Sequence, residues 1–263
     1  MYSWCAYCQH LIGEVEPLTD YRVSHGMCKP CSIDIEHYSP APSVLRAKAL
    51  FTTLYDAAHS GQFEACDRAI DEALRAGLRP SEIMIGVLHP ALGQIGARWE
   101  TGEISVAEEH RFTEFANRVI QRLRHQRPSN EWPLVLLAPF EENYHEVGLC
   151  IMEHLAWERD VPCSRLPVGT SVSAITTHVV DFEPNLVGLS VSLVEMVPAA
   201  LEFARTLATR LPTNSELILG GQAFRHGEAP SLPDDLTVLR TIDSYIERIE
   251  RLRNPRNGSA DTH

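Results

Sequence analysis

The sequence predicts a molecule of mixed class: a four-helix bundle, then a flavodoxin-like (Rossmann-like) parallel sheet of five strands, with a small cysteine-bearing module in front. Three observations carry this. Residues 43–126 hold four helix-period stretches separated by Gly and Pro breaks. Residues 132–250 alternate short apolar runs with helical patterns, as a parallel sheet covered by helices requires. Residues 1–38 hold two Cys-x-x-Cys pairs.

Length and composition bound the rest. A chain of 263 residues fits one large or two ordinary domains. The hydrophobic content of 44% is that of a globular protein. No apolar run approaches a membrane span, and the N-terminus lacks a charged-then-apolar leader pattern, so a cytoplasmic protein is expected. The formal net charge of -12 argues against a broad nucleic-acid footprint, which needs Lys and Arg in excess.

In the module, Cys5-Ala-Tyr-Cys8 and Cys28-Lys-Pro-Cys31 are separated by 19 residues. That spacing suits a four-thiolate zinc site with two tight knuckles. So short a segment builds little core, and a metal would supply its folding energy. The alternative is a reduced or redox-active dithiol pair. Residues 1–36 carry Arg22 and Lys29 against Glu14, Glu16, Asp20, Asp34 and Glu36, so an acidic finger of this kind fits a protein contact better than a phosphate backbone. Ser39-Pro40-Ala41-Pro42-Ser43 reads as an extended linker.

The four helices are read as Val44–His59, Phe63–Ala76, Pro80–Trp99 and Ser105–Arg124. The third starts on a proline, which a first turn tolerates. Met84, Leu88, Leu92, Ile95 and Trp99 would form one buried face along it. Ser105-x-x-Glu108 is a capping-box pattern for the fourth. Short connections make neighbours antiparallel. Trp99 then ends one helix just before Glu109 and His110 begin the next. The plain reading is a last core residue beside a solvated helix start.

The strands are read as Pro133–Ala138, Val161–Leu166, Leu186–Val191, Glu216–Leu219 and Leu236–Leu239, each followed by a helical pattern. Glu142-Asn143-Tyr144-His145-Glu146-Val147-Gly148 follows the first strand, where open α/β sheets bind ligands. No Gly-x-Gly-x-x-Gly follows it, which argues against a dinucleotide site. The third strand ends without Asp, which argues against a phosphoryl-accepting receiver. Residues 251–263 read as a polar, disordered tail.

Two motifs then suggest a family. Asn143-x-His145-x-x-Gly148 resembles the Asp/Glu-x-His-x-x-Gly signature of cobalamin-binding domains, and Trp99, nine residues, then Glu109-His110 resembles the helical cap of cobalamin-dependent light sensors. The resemblance spans about residues 43–250. It implies that His145 is the lower axial ligand of cobalt, with Asn143 where the family places a carboxylate beside it. It implies that Gly148 lets the displaced nucleotide tail pass. Trp99 would pack on the upper axial group, a 5′-deoxyadenosyl in adenosylcobalamin, with Glu109 and His110 contacting it. Ser190, or in another register Ser192, would meet the buried benzimidazole, while Gly220, Gly221, Gly169 and Thr170 would line the tail slot. One position departs from the family's adenosylcobalamin repressors. Glu100 stands where they place a cobalt-binding His after the Trp.

The resemblance implies a cobalamin-binding sensory protein, without enzymatic activity, that signals to a protein partner in transcriptional control. Light is its candidate stimulus. It is more similar to the cobalamin-binding antirepressors of photosynthesis genes than to repressors, because a zinc-like module stands where a helix-turn-helix would, and direct DNA binding is not expected. Self-association is compatible with this reading. The alternatives are a corrinoid carrier for methyl transfer and a degenerate protein-interaction scaffold.

Overall fold

The structure is a computed structural model and describes residues 1–5, 10–30, 43–129, 134–141, 146–225 and 236–253. It divides into two compact units, Met1–Arg124 and His125–His263.

The first unit opens with a small sheet of β1 (Tyr2–Cys5), β2 (Leu11–Glu14) and β3 (Val23–Gly26). Its order is β2-β1-β3, with β1 antiparallel to β2 and parallel to β3. Every residue of β1 is buried. A sheet this small cannot bury its central strand alone, so helices of the same unit cover it.

Those helices are α1 (Ser43–Ser60), α2 (Phe63–Arg75), α3 (Pro80–Ile83), α4 (His89–Glu100) and α5 (Val106–Leu123). A π-helical turn, Met84–Leu88, joins α3 to α4, so the expected four-helix arrangement is present with its third member interrupted. Phe112, Phe115, Leu54, Ile70, Met84 and Leu88 are buried, and Phe63 stacks on Phe115 at 4.6 Å between ring centroids. At the surface Arg122 of α5 pairs with Asp67 and Asp71 of α2.

The interruption follows from two residues. Pro90 has no N–H, so the Gly86 carbonyl four residues earlier cannot receive its ordinary helical bond. The chain winds wider there, and His89 N–H reaches back to the Met84 carbonyl. Trp4 of β1 supplies a donor to Gly86: its indole Nε1 lies 3.2 Å from the Gly86 carbonyl oxygen, in a buried contact. Gly86 is required here, because a Cβ would run into the Trp4 ring.

The second unit is a parallel sheet of β4 (Val135–Pro139), β5 (Cys163–Arg165), β6 (Leu186–Ser190), β7 (Glu216–Gly220) and β8 (Thr237–Val238). Its order, β5-β4-β6-β7-β8, is the flavodoxin order expected from sequence. Helices α6 (Val147–Glu158), α7 (Val172–Phe182), α8 (Val197–Ala208) and α9 (Ile242–Arg253) alternate with the strands. β4 is buried throughout, as a central parallel strand must be. The edge strands β5 and β8 are shorter than their apolar runs suggest, because each has only one neighbour to pair with. No helix among the described residues is long and apolar enough to cross a membrane.

Candidate functional site

In the helical unit, Trp99 stands in the last turn of α4 and Glu109 and His110 in the first turns of α5. The turn between them is built firmly. Gly102 takes a left-handed φ of +74°, and its N–H returns to the Trp99 carbonyl at 2.9 Å. Ser105 caps α5 as predicted: its hydroxyl accepts from Glu108 N–H, and Glu108 Oε2 accepts from Ser105 N–H at 2.8 Å.

Trp99 is not the last core residue. It is 45% exposed. The buried stripe of α4 runs through Ala91 and Ile95 to the largely covered Arg98. Arg98 is held by Glu103 at 2.9 Å and by the Tyr55 hydroxyl at 2.9 Å. Trp99 lies one residue off that stripe and presents its ring outward. At the start of α5, Glu109 Oε1 accepts from the Thr113 hydroxyl at 2.8 Å, and the exposed His110 Nε2 lies 3.6 Å from Glu109 Oε2. Glu100, which follows Trp99, is also exposed.

In the second unit the candidates collect at the carboxyl edge of the sheet. Pro139, Ser190 and Gly220 are in register across β4, β6 and β7. Ser190 and Ser192 are half-buried on either side of buried Val191. Gly221 has φ +111°, and a Cβ there would strike the Val191 backbone, 2.8 Å from its nitrogen. Its lack of a side chain is therefore demanded by the protein's own backbone. Gly220 is less constrained, with the Leu239 carbonyl 3.3 Å from an added Cβ. Gly169 (φ +79°) and Gly148 have open space around them. The Thr170 hydroxyl donates to the Pro167 carbonyl at 2.6 Å, so Thr170 closes the turn after β5.

Asn143 and His145 lie outside the described residues. The position just after them is anchored: Glu146 Oε1 pairs with Arg165 Nη1 at 2.7 Å, and Arg165 Nε lies 4.0 Å from the buried Glu153. Nothing in the sequence pattern marked Arg165, because its partners, Glu146 and Glu153, lie two turns apart along α6, far from it in the chain.

In the N-terminal module Cys5 is buried at the end of β1. Its Sγ accepts from Cys28 N–H at 3.4 Å, and its own N–H donates to the His10 carbonyl at 2.9 Å. Cys8 and Cys31 lie outside the described residues, and among the described residues no group of three His, Cys, Asp or Glu could hold a metal.

Residues 50–124 match the family model described as a B12 binding domain. The chain is 30% identical over 167 residues to the HTH-type transcriptional repressor CarH of Myxococcus xanthus, a stretch that is 61% of this chain and 53% of the repressor. The chain thus spans about half the length of that relative. Its fold is similar to that of the monomethylamine corrinoid protein of Methanosarcina barkeri, with a TM-score of 0.62 and 14% identity over 78% of this chain and 99% of that one. On these matches residues 50–124 are similar to a B12 binding domain, and the chain is similar over part of its length to a transcriptional repressor.

Proposed function

We propose that the protein is a cobalamin-binding regulator that takes up adenosylcobalamin and signals to a protein partner in transcriptional control, with light as its candidate stimulus. The observation that carries this reading is the exposed Trp99 ring at the end of α4, in the stretch that also holds Glu109 and His110 at the start of α5 and matches a B12 binding domain. The described residues fit such a group. Gly148 and Gly169 leave room, and small residues end the central strands at Ser190 and Gly220.

In this reading neutral His145 would offer one imidazole nitrogen to cobalt, and its other nitrogen would need an acceptor that fixes the tautomer, a role the nearby Asn143 amide oxygen could fill. An amide accepts that bond less strongly than the carboxylate of related sites, so His145 is the weaker donor. Glu109 and His110 bind polar edges of the upper group while Trp99 covers its apolar face. Cobalamin, when bound, would supply a cobalt centre able to exchange a ligand. Glu100 offers no imidazole next to Trp99, so that position would not supply a histidine to cobalt. Cys5, Cys8, Cys28 and Cys31 bind zinc. The backbone N–H of Cys28 on the Cys5 sulfur supports this, because thiolates in knuckles accept such bonds.

The test is an absorption spectrum of protein loaded with adenosylcobalamin in the dark and after green light, with His145→Ala alongside. A His-ligated spectrum that the variant loses is expected. No loading by the intact protein would overturn the reading.

The likeness to a corrinoid protein keeps a second reading, a methyl-group carrier. Transfer of a methyl group from loaded protein to a thiol acceptor would select it.

A further inference from the structure

The turn that carries Trp99 closes around its neighbour, Arg98. The Arg98 side chain reaches two other elements. Its Nε donates to Glu103 Oε2 at 2.9 Å, and its Nη1 donates to the Tyr55 hydroxyl of α1 at 2.9 Å. The guanidinium also stands over the Tyr55 ring, 5.4 Å from the centroid, and that ring stacks on Phe51 one turn earlier in α1. The Arg98 carbonyl holds the turn from inside. It accepts from Glu103 N–H at 2.9 Å and from the Thr101 hydroxyl at 3.0 Å. The same hydroxyl lies 3.2 Å from Glu103 Oε1, so Arg98 and Thr101 share one carboxylate.

An ordinary surface ion pair contributes little. Two features separate this network from one. The Arg98 side chain is only 23% exposed, and its planar fork engages a carboxylate and a phenol from different elements at once. The bonds also converge on the backbone under Trp99: Thr101 N–H returns to the Ala97 carbonyl at 3.2 Å and Gly102 N–H to the Trp99 carbonyl at 2.9 Å. Packing covers the Trp99 ring on one side only, so the direction of the ring is set by the backbone beneath it. Sequence alone gives Arg98 an ordinary place, as a basic residue in the last turn of a helix.

We infer that Arg98 is a positioning residue for Trp99, and that through Tyr55 it makes α1 part of the cobalamin site. Tyr55 holds Arg98, Arg98 holds the turn, and the turn aims the Trp99 ring at the upper axial group. This rests on the reading of Trp99 under the proposed function. It adds which residues set the aim of the ring, and with it the preference for a cobalamin that carries a large upper group.

The experiment uses the full chain and two cobalamins: adenosylcobalamin in the dark, and hydroxocobalamin, which lacks the adenosyl group. Arg98→Met keeps the stem and removes the guanidinium, and Tyr55→Phe removes only the hydroxyl. Adenosylcobalamin affinity, read by titration, is expected to fall about tenfold in Arg98→Met and about threefold in Tyr55→Phe, the scale of lost hydrogen bonds to a charged group, while hydroxocobalamin affinity moves by less than about twofold. Arg98→Lys should behave as Arg98→Met does, because an ammonium keeps the charge without the fork. Hydrogen exchange in 98–105, followed by peptide mass analysis, should rise about tenfold in Arg98→Met while 112–123 stays unchanged, because the opening is local. Equal losses for the two cobalamins would reduce Arg98 to a residue of general stability and overturn the inference, as would unchanged exchange in 98–105. If Arg98→Met does not fold, Tyr55→Phe decides by the same two readouts. Failure of the intact protein to bind either cobalamin overturns the proposed function instead, and the exchange arm still judges whether Arg98 holds the turn.

Discussion

Trp4 and Pro90 are partners that never touch through a bond of their own. Pro90 removes a donor from Gly86, and Trp4 returns one at 3.2 Å from another part of the chain. The arrangement makes their substitutions interdependent. Trp4→Phe is expected to cost about 1–3 kcal/mol, the range for leaving a buried carbonyl unsatisfied. In a Pro90→Ala background, where residue 90 offers its own N–H, that cost should shrink. A double-mutant cycle in urea denaturation measures the difference, and equal costs in both backgrounds would refute the account.

Gly221→Ala and Gly148→Ala separate fold from ligand. Gly221 has φ +111° and lies against the Val191 backbone, so an alanine there should lower stability by about 1–3 kcal/mol before any ligand is added. Gly148 has open space around it, and alanine there should leave the thermal midpoint within a degree or two while weakening cobalamin uptake. Thermal melts paired with cobalamin titration read both.

Ser105→Ala removes one half of the capping box and should destabilise the first unit by about 1 kcal/mol. Because that box fixes where Glu109 and His110 stand, cobalamin affinity should weaken as well. Chemical denaturation and a binding titration of the same sample test both effects.

Trp99→Ala should change folding stability little, since the ring is 45% exposed, while the spectrum and retention of adenosylcobalamin should change clearly. A large loss of stability with normal cobalamin retention would make Trp99 a packing residue.

Two groups set opposite pH limits. Arg22 hydrogen-bonds Asp20 and lowers its carboxyl from 3.8 to about 2, so its contribution is present above pH 4 and is lost as pH falls towards 2. Both partners sit near solvent, so the effect is small and screened by salt. Burial pushes the Cys66 thiol from 9.0 up to about 11, and burial pushes Cys163 well above its ordinary value. Stability from the neutral Cys66 thiol is present below pH 9 and is lost as pH rises through about 11, and that from Cys163 is likewise lost on the alkaline side. Native thiol titration at pH 8 should leave Cys66 and Cys163 unlabelled, and both should react once urea unfolds the chain.

The sequence by itself determined the class, the element order and the sheet order, because those follow from local period, Gly and Pro punctuation, and the alternation of strands with helices. The capping box at Ser105 and the carboxyl-edge placement of Ser190 and Gly220 were legible for the same reason: each depends on near neighbours in the chain. The exposure of Trp99 was not legible. The helix period places Trp99 one turn after Ile95, and only the tertiary structure shows that the unit covers Arg98 there while the Trp99 ring stays partly exposed. The glycine at 221 was legible as a glycine, but its cause, the Val191 backbone, belongs to a neighbouring strand. The seating of β1 on Gly86 and Gly93 was hidden altogether, because residues some eighty positions apart meet only when the chain has folded, and no local period records which far segment will fill the space a glycine leaves.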